Sequence, residues 1–386
     1  MFFPGGGIGR YTYELVKTLS RFPEVAVEVV CSPDFRWKDT PAYPAWDGLQ
    51  SIWHAVPTLR RLRFLTGQFV NPARGIRHAQ ASGTDVLHFS NINHLTFPFW
   101  RRLLKKAGMR VAISVHDVKR HKRILSRWWE DRQLKACYRY ADALFVHSAY
   151  QARELMTFAG VREEKIHIVP HGPYEHGLVS SSRDEIRAAL GLAAEQSVGL
   201  FFGQIRDEKN LDRLIRALSE STARPHLIVA GQGGSRHRDI DYYQNLAREV
   251  GVADQITFIP RFIPDEEVGE LFTAADWIAL PYSNTFTSQS GVLNVAAHYE
   301  RPILVSSSPV LKETVETCDI GVVCRGDATP AIAEGIDRIC ARIREGHLHK
   351  FEEYRDQFSW HENAQRTLAV YQALVPQRRR RGEAAP

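Results

Sequence analysis

Short apolar runs rich in β-branched residues recur along the chain and alternate with longer segments of helical periodicity. The runs predicted as strands cover residues 25–30, 86–89, 111–115, 143–146, 166–169, 198–202, 226–230, 256–259, 277–280 and 303–305. Runs this apolar are typical of strands buried on both faces, and a helix-length segment separates each from the next. The pattern therefore predicts an α/β protein with doubly wound parallel sheets.

A length of 386 residues exceeds what one hydrophobic core usually organises, so two domains are expected. The break is predicted between residues 171 and 190, where a Gly/Pro turn and a serine run lead into a helix. Ser182 and Glu185 have the spacing of a capping box for that helix. We predict domains at 1–173 and 174–358, a last amphipathic helix at 359–376, and a disordered basic tail at 377–386.

The composition is that of a folded protein, since 44% of the residues are hydrophobic and 24% are charged. No run reaches the length of a membrane span, and the first residues lack the basic lead and apolar core of a signal peptide. We therefore expect a cytoplasmic protein. The cysteines show no CxxC spacing, which fits a reducing compartment and predicts buried thiols at Cys31, Cys137, Cys318, Cys324 and Cys340.

Basic residues concentrate in the first half of the chain. There are 50 Lys and Arg against 44 acids overall, and twelve of the basic residues lie between 101 and 135 against three acids. Aromatic and aliphatic residues interleave them over 97–135 and again over 58–70, which suits an anionic membrane headgroup layer. An equally weighted interpretation is a solvated helix face whose Trp and Leu side chains belong to the core. No nucleic acid is expected as a partner, because no recognised binding motif accompanies the patch.

A glycine turn at residues 5–9 runs directly into an amphipathic helix. Glycines let the backbone approach a bound group, and a helix start offers N–H donors to phosphate. The dinucleotide fingerprint GxGxxG is not met, because Arg10 stands where its third glycine is required. A sheet without a strand before this turn would expose an unpaired edge in its middle. Since only Met1 to Pro4 precede the turn, we expect the natural start to lie upstream or the first half to be built differently.

Two further segments place cations or a helix start where a predicted strand ends, which is where ligands bind in wound sheets. Gly203, Arg206 and Lys209 follow the strand at 198–202, and the two cations suit a diphosphate. A solvated loop balanced by its own acids is an equal alternative. After the strand at 277–280, Ser290 and Gly291 open a buried helix that presents N–H groups to an anion, although an ordinary capped helix has the same pattern.

His116 and Asp117 follow the strand at 111–115, at the carboxyl edge of the first half. A side chain there can point toward a ligand, although a lone histidine is more often structural than catalytic. The sequence contains no GxSxG elbow, no HExxH pair and no P-loop. These absences remove the serine hydrolases, the zinc proteases and the P-loop NTPases from consideration.

Taken in order, these segments resemble the family 4 retaining glycosyltransferases of the GT-B fold, the group 1 glycosyl transferases. The resemblance spans nearly the whole chain and is carried by GGGIGRYTYEL, VHDV, ADALFVHSAYQARELM, KIHIVPHGP, LFFGQIRDEKNLDRLIRAL, LIVAGQGG, ITFIPRFIPDEEVGELFTAADWIALPY and FSWHENAQRTLAVYQAL. It implies two Rossmann-like domains facing a cleft, with the nucleotide sugar held mainly by the second and the acceptor by the first. It also implies that the last helix crosses back onto the first domain.

The resemblance implies roles for individual residues. The catalytic group would be His116, Arg206 and Lys209, with the two cations on the donor diphosphate and the histidine against the sugar. The residues implied in donor binding are Gly6, Gly7, Gly9, Gly203, Phe262, Ile263, Gln289, Ser290, Gly291, Val292 and Asn294. Among them, the backbone amides at 290–292 would complete the phosphate cradle, and Phe262 and Ile263 would flank the base.

The sequence departs from the family at the acid pair that usually contacts the donor sugar and ribose. Thr287 and Val295 stand where the family carries two glutamates, so those contacts are lost or come from Gln289 or Asn294. The departure leaves the identity of the donor open.

A second departure concerns the diphosphate, because Gln204 stands where an arginine usually follows the strand-end glycine, and Arg206 would replace it. The resemblance implies retaining transfer without a protein nucleophile, in which the departing diphosphate oxygen takes the acceptor proton on the same face of the sugar. Neither a metal nor another cofactor is expected.

We therefore expect a glycosyltransferase that moves a sugar from a nucleotide sugar to a lipid-linked or polysaccharide precursor, with retention, at the cytoplasmic face of the membrane. Two alternatives share the fold. A sugar-nucleotide epimerase would convert the donor without any acceptor. A catalytically silent binding protein would bind the nucleotide without consuming the donor.

Overall fold

The structure, a computed structural model, describes residues 7–120, 124–174, 179–234, 237–347 and 349–375. The chain divides into two compact units, which we call the first unit (Met1–His171 with Ser359–Pro386) and the second unit (Gly172–Phe358). The sequence-based boundaries at 173 and 358 fall within two residues of these divisions. Gly6 and the tail at 377–386 lie outside the described residues.

A parallel sheet forms the centre of the first unit. Its elements up to the boundary are α1 (Gly7–Leu19), β1 (Val29–Val30), β2 (Ala45–Trp46), α2 (Pro57–Ala81), β3 (Val86–Phe89), α3 (Phe97–Ala107), β4 (Arg110–Ser114), α4 (Arg127–Tyr140), β5 (Ala143–Val146), α5 (Ala149–Ala159) and β6 (Ile166–Ile168). Strands β3, β4, β5 and β6 are neighbours in that order, and β1 with β2 forms a separate parallel pair. The strand predicted at 25–30 was too long, because its partner β2 offers only two residues for pairing.

The described residues of the second unit form a six-stranded parallel sheet covered by helices. The elements are α6 (Arg183–Ala189), β7 (Val198–Phe202), α7 (Leu211–Glu220), β8 (His226–Ala230), α8 (Ile240–Glu249), β9 (Ile256–Ile259), α9 (Asp265–Ala274), β10 (Trp277–Leu280), α10 (Gly291–His298), β11 (Ile303–Val305), α11 (Pro309–Cys318), β12 (Gly321–Val323), α12 (Thr329–Arg344) and α13 (Phe351–Gln357). The strand order is β12-β11-β10-β7-β8-β9. The first strand, β7, therefore lies in the middle, which is the doubly wound arrangement that the sequence predicted.

The helix that opens the second unit begins with the predicted capping box. At the start of α6 the Glu185 backbone N–H donates to Ser182 Oγ at 3.3 Å, and the Ser182 N–H donates to the Glu185 carboxylate at 2.8 Å, which confirms the capping box. The last helix, α14 (Trp360–Leu374), is capped by Ser359 and belongs to the first unit. It packs on α1 through an apolar cluster that includes Tyr11 and Leu368.

All five cysteines are buried and form no disulfide, as predicted. In the described ranges, no helix has both the length and the hydropathy that crossing a bilayer requires.

Candidate functional site

Two glycines shape the carboxyl ends of β7 and β8. Gly203 follows β7 with a φ of 92°, a left-handed backbone that favours glycine. A Cβ at this position would lie 3.6 Å from both Lys209 Nζ and Val292 Cγ2. At the end of β8, a Cβ on Gly231 would lie 2.0 Å from the Gly203 carbonyl oxygen. Position 231 therefore accepts only glycine, and Gly203 lies between Lys209 and the start of α10.

Lys209 is a buried cation. Its exposed fraction is 7%, and its Nζ lies 5.0 Å and 5.9 Å from the ring centroids of Tyr282 and Phe201. Burial and, to a smaller extent, the charge of Arg206 lower the pKa of Lys209 to about 7, while Glu208 opposes them. Within the described residues, no carboxylate forms an ion pair with this Nζ. An anionic ligand at this position would favour the charged ammonium, which is the form that burial disfavours.

Arg206 is held by the residue that replaces the family arginine. Its Nε and Nη2 donate to Gln204 Oε1 at 2.9 Å and 2.6 Å, and its Nη1 lies 3.7 Å from Glu208 Oε1. The side chain of Arg206 is 39% exposed, so solvent screens its charge more than that of Lys209. The two predicted cations therefore have different environments, one positioned by an amide at the surface and one desolvated.

The start of α10 completes this part of the second unit. Ser290 precedes the helix, is buried, and makes no capping hydrogen bond with its side chain. The N–H groups of Gly291 and Val292, in the first turn, have no acceptor within the helix by its geometry. A Cβ on Gly291 would lie 3.4 Å from the ring of Tyr174, so the backbone passes close to that ring. The helix start can therefore present donors and a partial positive charge to an anion.

Hydrogen bonds hold the polar loop between β10 and α10 in place. The Ser283 N–H donates to the Glu208 carbonyl oxygen at 3.0 Å, which ties the loop to the segment that carries Lys209. Ser308 Oγ donates to the Phe286 carbonyl oxygen at 2.8 Å. Such fixed placement lets donors stabilise charge without reorganising during a reaction.

The residues at and near the missing acid pair have mixed environments. Asn294 is buried, and its Oδ1 accepts a hydrogen bond from the hydroxyl of Tyr354 at 2.8 Å. This contact joins α10 to α13, so the amide oxygen has a structural partner. Val295 is buried in the core, whereas Thr287 and Gln289 are half-buried in the loop before the helix. Of the two predicted substitutes for the acids, Gln289 is the more accessible.

The two residues predicted to flank the base differ in exposure. Phe262 is 69% exposed and its ring is available to a ligand, while Ile263 is 6% exposed and contributes its side chain to the core. Both follow β9, an edge strand of the sheet. Stacking on a base is therefore possible for Phe262, and Ile263 can offer backbone groups only.

In the first unit, His116 lies in a cluster of buried aromatic and imidazole rings. The ring centroids of Tyr11 and His147 lie 4.7 Å and 5.3 Å from that of His116, and His171 and Trp360 also contact Tyr11. Burial lowers the pKa of His147 to about 4. Burial, with smaller effects from neighbouring charges, holds the pKa of His116 well below its usual range. Both imidazoles are therefore neutral at pH 7.

The contacts of these neutral rings define their tautomers. His147 Nδ1 lies 3.2 Å from the Val169 carbonyl oxygen, which only accepts, so Nδ1 carries the proton. His147 Nε2 is then an acceptor, and His116 Nδ1 donates to it across 3.3 Å. His116 Nε2 remains as a buried acceptor without a partner in the described part of the chain. Gln151 holds the pair in place, since its Nε2 donates to the His116 carbonyl oxygen at 2.9 Å.

The glycines of the first turn are only partly described. Gly7 begins α1, and Gly9 is buried within it. A Cβ on Gly7 would meet no described atom within 4 Å, so packing within the described chain does not require glycine there. Gly6 lies outside the described residues.

One group of side chains in the second unit has metal-ligand chemistry. Oxygen or nitrogen atoms of Asp319, His347 and His349 lie within 4.8 Å of one another. These residues follow α11 and α12, on elements other than those that carry Lys209 and Ser290. They do not belong to the candidate donor site.

The basic and apolar stretch of the first unit divides between core and surface. Phe97, Trp100 and Leu104 of α3 are buried, as the core interpretation predicts. Other large apolar side chains of the region are exposed, namely Trp53, Val56, Leu59, Leu62, Leu65, Phe69, Phe99, Ile124, Leu125 and Trp128. We call these residues, with the described Lys and Arg residues that lie between them in the sequence, the basic apolar face.

Sequence reasoning missed three residues that shape these two sites. Tyr282, directly after β10, places its ring beneath Lys209. His147 and His171 follow the strands β5 and β6, as His116 follows β4. Parallel strands end at one edge of a sheet, so three histidines after three successive strands were a signal for a cluster.

Comparison with known proteins agrees with this architecture. Residues 6–172 match the model of the glycosyl transferase 4-like domain, and residues 182–357 match that of the glycosyl transferases group 1. D-inositol 3-phosphate glycosyltransferases are 30% identical over 246 residues in Nocardia farcinica (61% of this chain, 53% of that protein) and over 250 residues in Mycolicibacterium smegmatis (62% and 55%). The chain thus spans about half the length of these curated relatives.

Solved structures share the fold over the full length. A glycosyltransferase from Rickettsia africae superposes with a TM-score of 0.74 at 14% identity, covering 97% of both chains. HepE from Anabaena in complex with UDP superposes with a TM-score of 0.72 at 16% identity, covering 97% of this chain and 98% of that one. Together with the two matched models, these likenesses show that the chain belongs to the group 1, family 4-like glycosyltransferases and has their GT-B fold.

Proposed function

We propose that this chain transfers a hexose from a nucleoside diphosphate sugar to an acceptor, with retention and without a metal ion. The observation that carries the proposal is the buried ammonium of Lys209, which lies beside Gly203 and has no carboxylate partner in the described residues. HepE crystallises with UDP and with UDP-glucose, so uridine nucleotides are the first donors to test.

In the proposed step, the bond between the anomeric carbon and the diphosphate oxygen breaks, and its electron pair goes to the diphosphate. The acceptor oxygen bonds to the carbon on the same face, and its proton passes to the departing phosphate oxygen. Lys209, Arg206 and the first-turn N–H groups of α10 would stabilise the growing negative charge.

Turnover of Lys209→Met tests the assignment. Loss of one preorganised charge stabiliser should lower kcat by roughly two to four orders of magnitude. Lys312→Met is the matched control, because Lys312 is half-exposed on α11 and should keep wild-type turnover. Equal turnover in wild type and Lys209→Met would contradict the proposal.

The same assay separates the two alternatives that share the fold. Conversion of the donor to an epimer in the absence of acceptor would identify an epimerase. Nucleotide binding without donor consumption, for every acceptor tried, would identify a silent binding protein. Neither has support from the matched families, whose descriptions are those of transferases.

For the acceptor, we propose a lipid-linked sugar that is reached from the membrane surface. The support is the basic apolar face, where Leu62, Leu65 and Trp128 are each more than half exposed among cationic side chains. Flotation with vesicles of neutral or anionic lipid tests the surface. Binding that depends on anionic lipid and falls with salt is expected, and indifference to both would exclude it.

The curated relatives favour a second acceptor class. They are described as D-inositol 3-phosphate glycosyltransferases, so inositol phosphate belongs in the same acceptor panel. Transfer to inositol phosphate in the absence of lipid would assign a soluble anionic acceptor. Transfer to the lipid-linked sugar alone would assign the membrane route.

A further inference from the structure

Three side chains with metal-ligand chemistry converge where α11 and α12 end. Asp319 directly follows α11, and His347 and His349 lie between α12 and α13. One ligand atom from each of the three lies within 4.8 Å of those of the other two. His347 Nε2 lies 3.7 Å from Asp319 Oδ2. Two ligands of a tetrahedral zinc ion are about 3.3 Å apart, because each bond is about 2 Å long, so this pair needs to close by only a few tenths of an ångström.

Main-chain contacts hold the segments that carry these three side chains. Asp319 has a φ of 48°, a left-handed conformation that aspartate adopts more readily than most residues. Its carbonyl oxygen accepts hydrogen bonds from the Lys350 N–H at 3.4 Å and from His349 Nδ1 at 3.3 Å. The His347 N–H donates to the Arg342 carbonyl oxygen at 2.9 Å. The segment with both histidines is therefore tied to the turn with the carboxylate and to the end of α12.

The His349 ring is in the form that binds metals. Because a carbonyl oxygen only accepts, the contact with Asp319 places the proton on Nδ1 and leaves the lone pair on Nε2. His349 Nε2 is buried and has no hydrogen-bond partner among the described residues. Burial is the main cause that lowers the pKa of His349, which favours the neutral ring at pH 7. A neutral imidazole that donates its N–H to a backbone carbonyl is the usual state of a histidine ligand.

The two oxygens of the Asp319 carboxylate have different neighbours. Oδ1 lies 3.7 Å from Arg342 Nη1, which also donates to the Gly321 carbonyl oxygen at 3.1 Å. Oδ2 faces His347. Arg342 can therefore orient the carboxylate from one side and leave Oδ2 to a cation, as the outer neighbours of metal ligands do. Its positive charge also opposes a second cation nearby, so the affinity should be lower than that of a site with four protein ligands.

We propose that Asp319, His347 and His349 bind a divalent transition-metal ion of the zinc class, with water in the fourth position. Two imidazole nitrogens and one carboxylate oxygen suit Zn²⁺, whereas Mg²⁺ and Ca²⁺ prefer oxygen ligands alone. A bound ion would join the ends of α11 and α12 to the start of α13. The inference goes beyond the proposed transfer reaction and does not rest on it.

Calorimetry with Zn²⁺ on the full chain, freed of metal with EDTA, tests the site. His347→Gln removes an exposed ligand, and Asp319→Asn keeps a residue that tolerates the left-handed turn, so both variants should fold. Each should weaken the tightest Zn²⁺ binding at least roughly tenfold, since losing even an outer partner of a metal ligand costs that much. His361→Gln, the matched control, removes an exposed imidazole of the first unit and should bind as wild type. Zn²⁺ binding that is equal in wild type and both ligand variants would overturn the proposal.

Thermal unfolding gives a second readout. Zn²⁺ at about one hundred times its Kd should raise the wild-type melting temperature by at least roughly 5 °C, because the ion binds only the folded chain. The shift should be absent in His347→Gln, whose melting temperature without metal also reports whether it folds. Mg²⁺ at the same concentration should change neither protein. A wild-type melting temperature that does not respond to Zn²⁺ would refute the site. Neither measurement involves donor or acceptor, so failure here leaves the proposed transfer reaction intact.

Discussion

Binding of a nucleoside diphosphate should add a proton to Lys209. In the free protein the pKa of Lys209 is about 7, chiefly because burial disfavours the ammonium. A diphosphate beside Nζ favours the charged form and raises the pKa toward the ordinary value of 10.5. By linkage, the affinity must fall as the pH rises through 7, since the free protein loses a proton that the complex retains.

The size of the effect follows from the two protonation states. With a pKa of about 7, about 1% of the free protein carries the proton at pH 9 and about half carries it at pH 7, so Kd should weaken roughly 50-fold between these values. The last phosphate ionisation, near pH 6, is almost complete in this range and changes the ligand little. The window from pH 7 to 9 therefore isolates the lysine.

Isothermal titration calorimetry with UDP, in two buffers of different ionisation enthalpy, measures both quantities. We expect proton uptake near one half at pH 7 and near one at pH 9, together with the loss of affinity. Lys209→Met should bind weakly with no proton uptake, and Lys312→Met should behave as wild type. A wild-type affinity that is flat from pH 7 to 9, with no proton uptake, would refute the contact between diphosphate and Lys209.

Three shorter predictions follow from other contacts. Without nucleotide, the stability of the wild type relative to Lys209→Met should rise from pH 7 to 9. Folding lowers the pKa of Lys209, so deprotonation of this lysine over that range removes a buried charge that destabilises the fold; melting temperatures measure the effect. Gly231→Ala should lower the melting temperature by at least roughly 5 °C, since its Cβ would meet the Gly203 carbonyl at 2.0 Å, whereas Gly7→Ala should not. His116→Ala should lower the melting temperature, because it removes a buried ring and leaves His147 Nε2 without its donor, and wild-type activity should show no His116 titration between pH 6 and 8.

Five of the six strands of the second unit were predicted from the sequence, whereas the pairing of β1 with β2 in the first unit was not. β7 occupies the predicted residues 198–202, because a strand buried on both faces is apolar at every position. β2 was missed because two residues show no periodicity, and β12 was missed although it is as long as the predicted strands β6 and β11. At 25–30 the apolar pattern indicates one long strand, yet only Val29–Val30 forms a ladder, with β2. How many residues of a strand find a partner depends on the tertiary structure, which the local sequence pattern does not contain.

The sequence predicted that Gly203, Lys209 and the start of α10 lie close together, but it did not predict which of the nearby charges form ion pairs. Asp207 and Glu208 precede Lys209, and the sequence left a balanced, solvated loop as an equal interpretation. In the structure, Glu208 lies 3.7 Å from Arg206 and Asp207 lies 3.5 Å from His237. Neither acid forms an ion pair with Lys209 in the described residues, since Glu208 pairs with Arg206 and Asp207 with His237. Their closeness to Lys209 in the sequence suggested that Asp207 and Glu208 neutralise its charge, but in the structure they pair with other residues.

The absence of the family's two glutamates also leaves the positive charge of Lys209 without a nearby carboxylate. Val295 is buried within α10 and Thr287 is uncharged, so no carboxylate stands at either position. Since Glu208 lies beside Arg206, the described residues leave the charge of Lys209 to be balanced by a ligand. Affinity should then depend more on the β-phosphate than on the sugar. We expect UDP and UDP-glucose to bind within about tenfold of each other, and UMP, which lacks the β-phosphate, to bind more weakly by about two orders of magnitude, the size of a lost charge-assisted contact. Calorimetry with the three ligands at pH 7 measures this order, and UMP binding as tightly as UDP would place the recognition on the nucleoside instead.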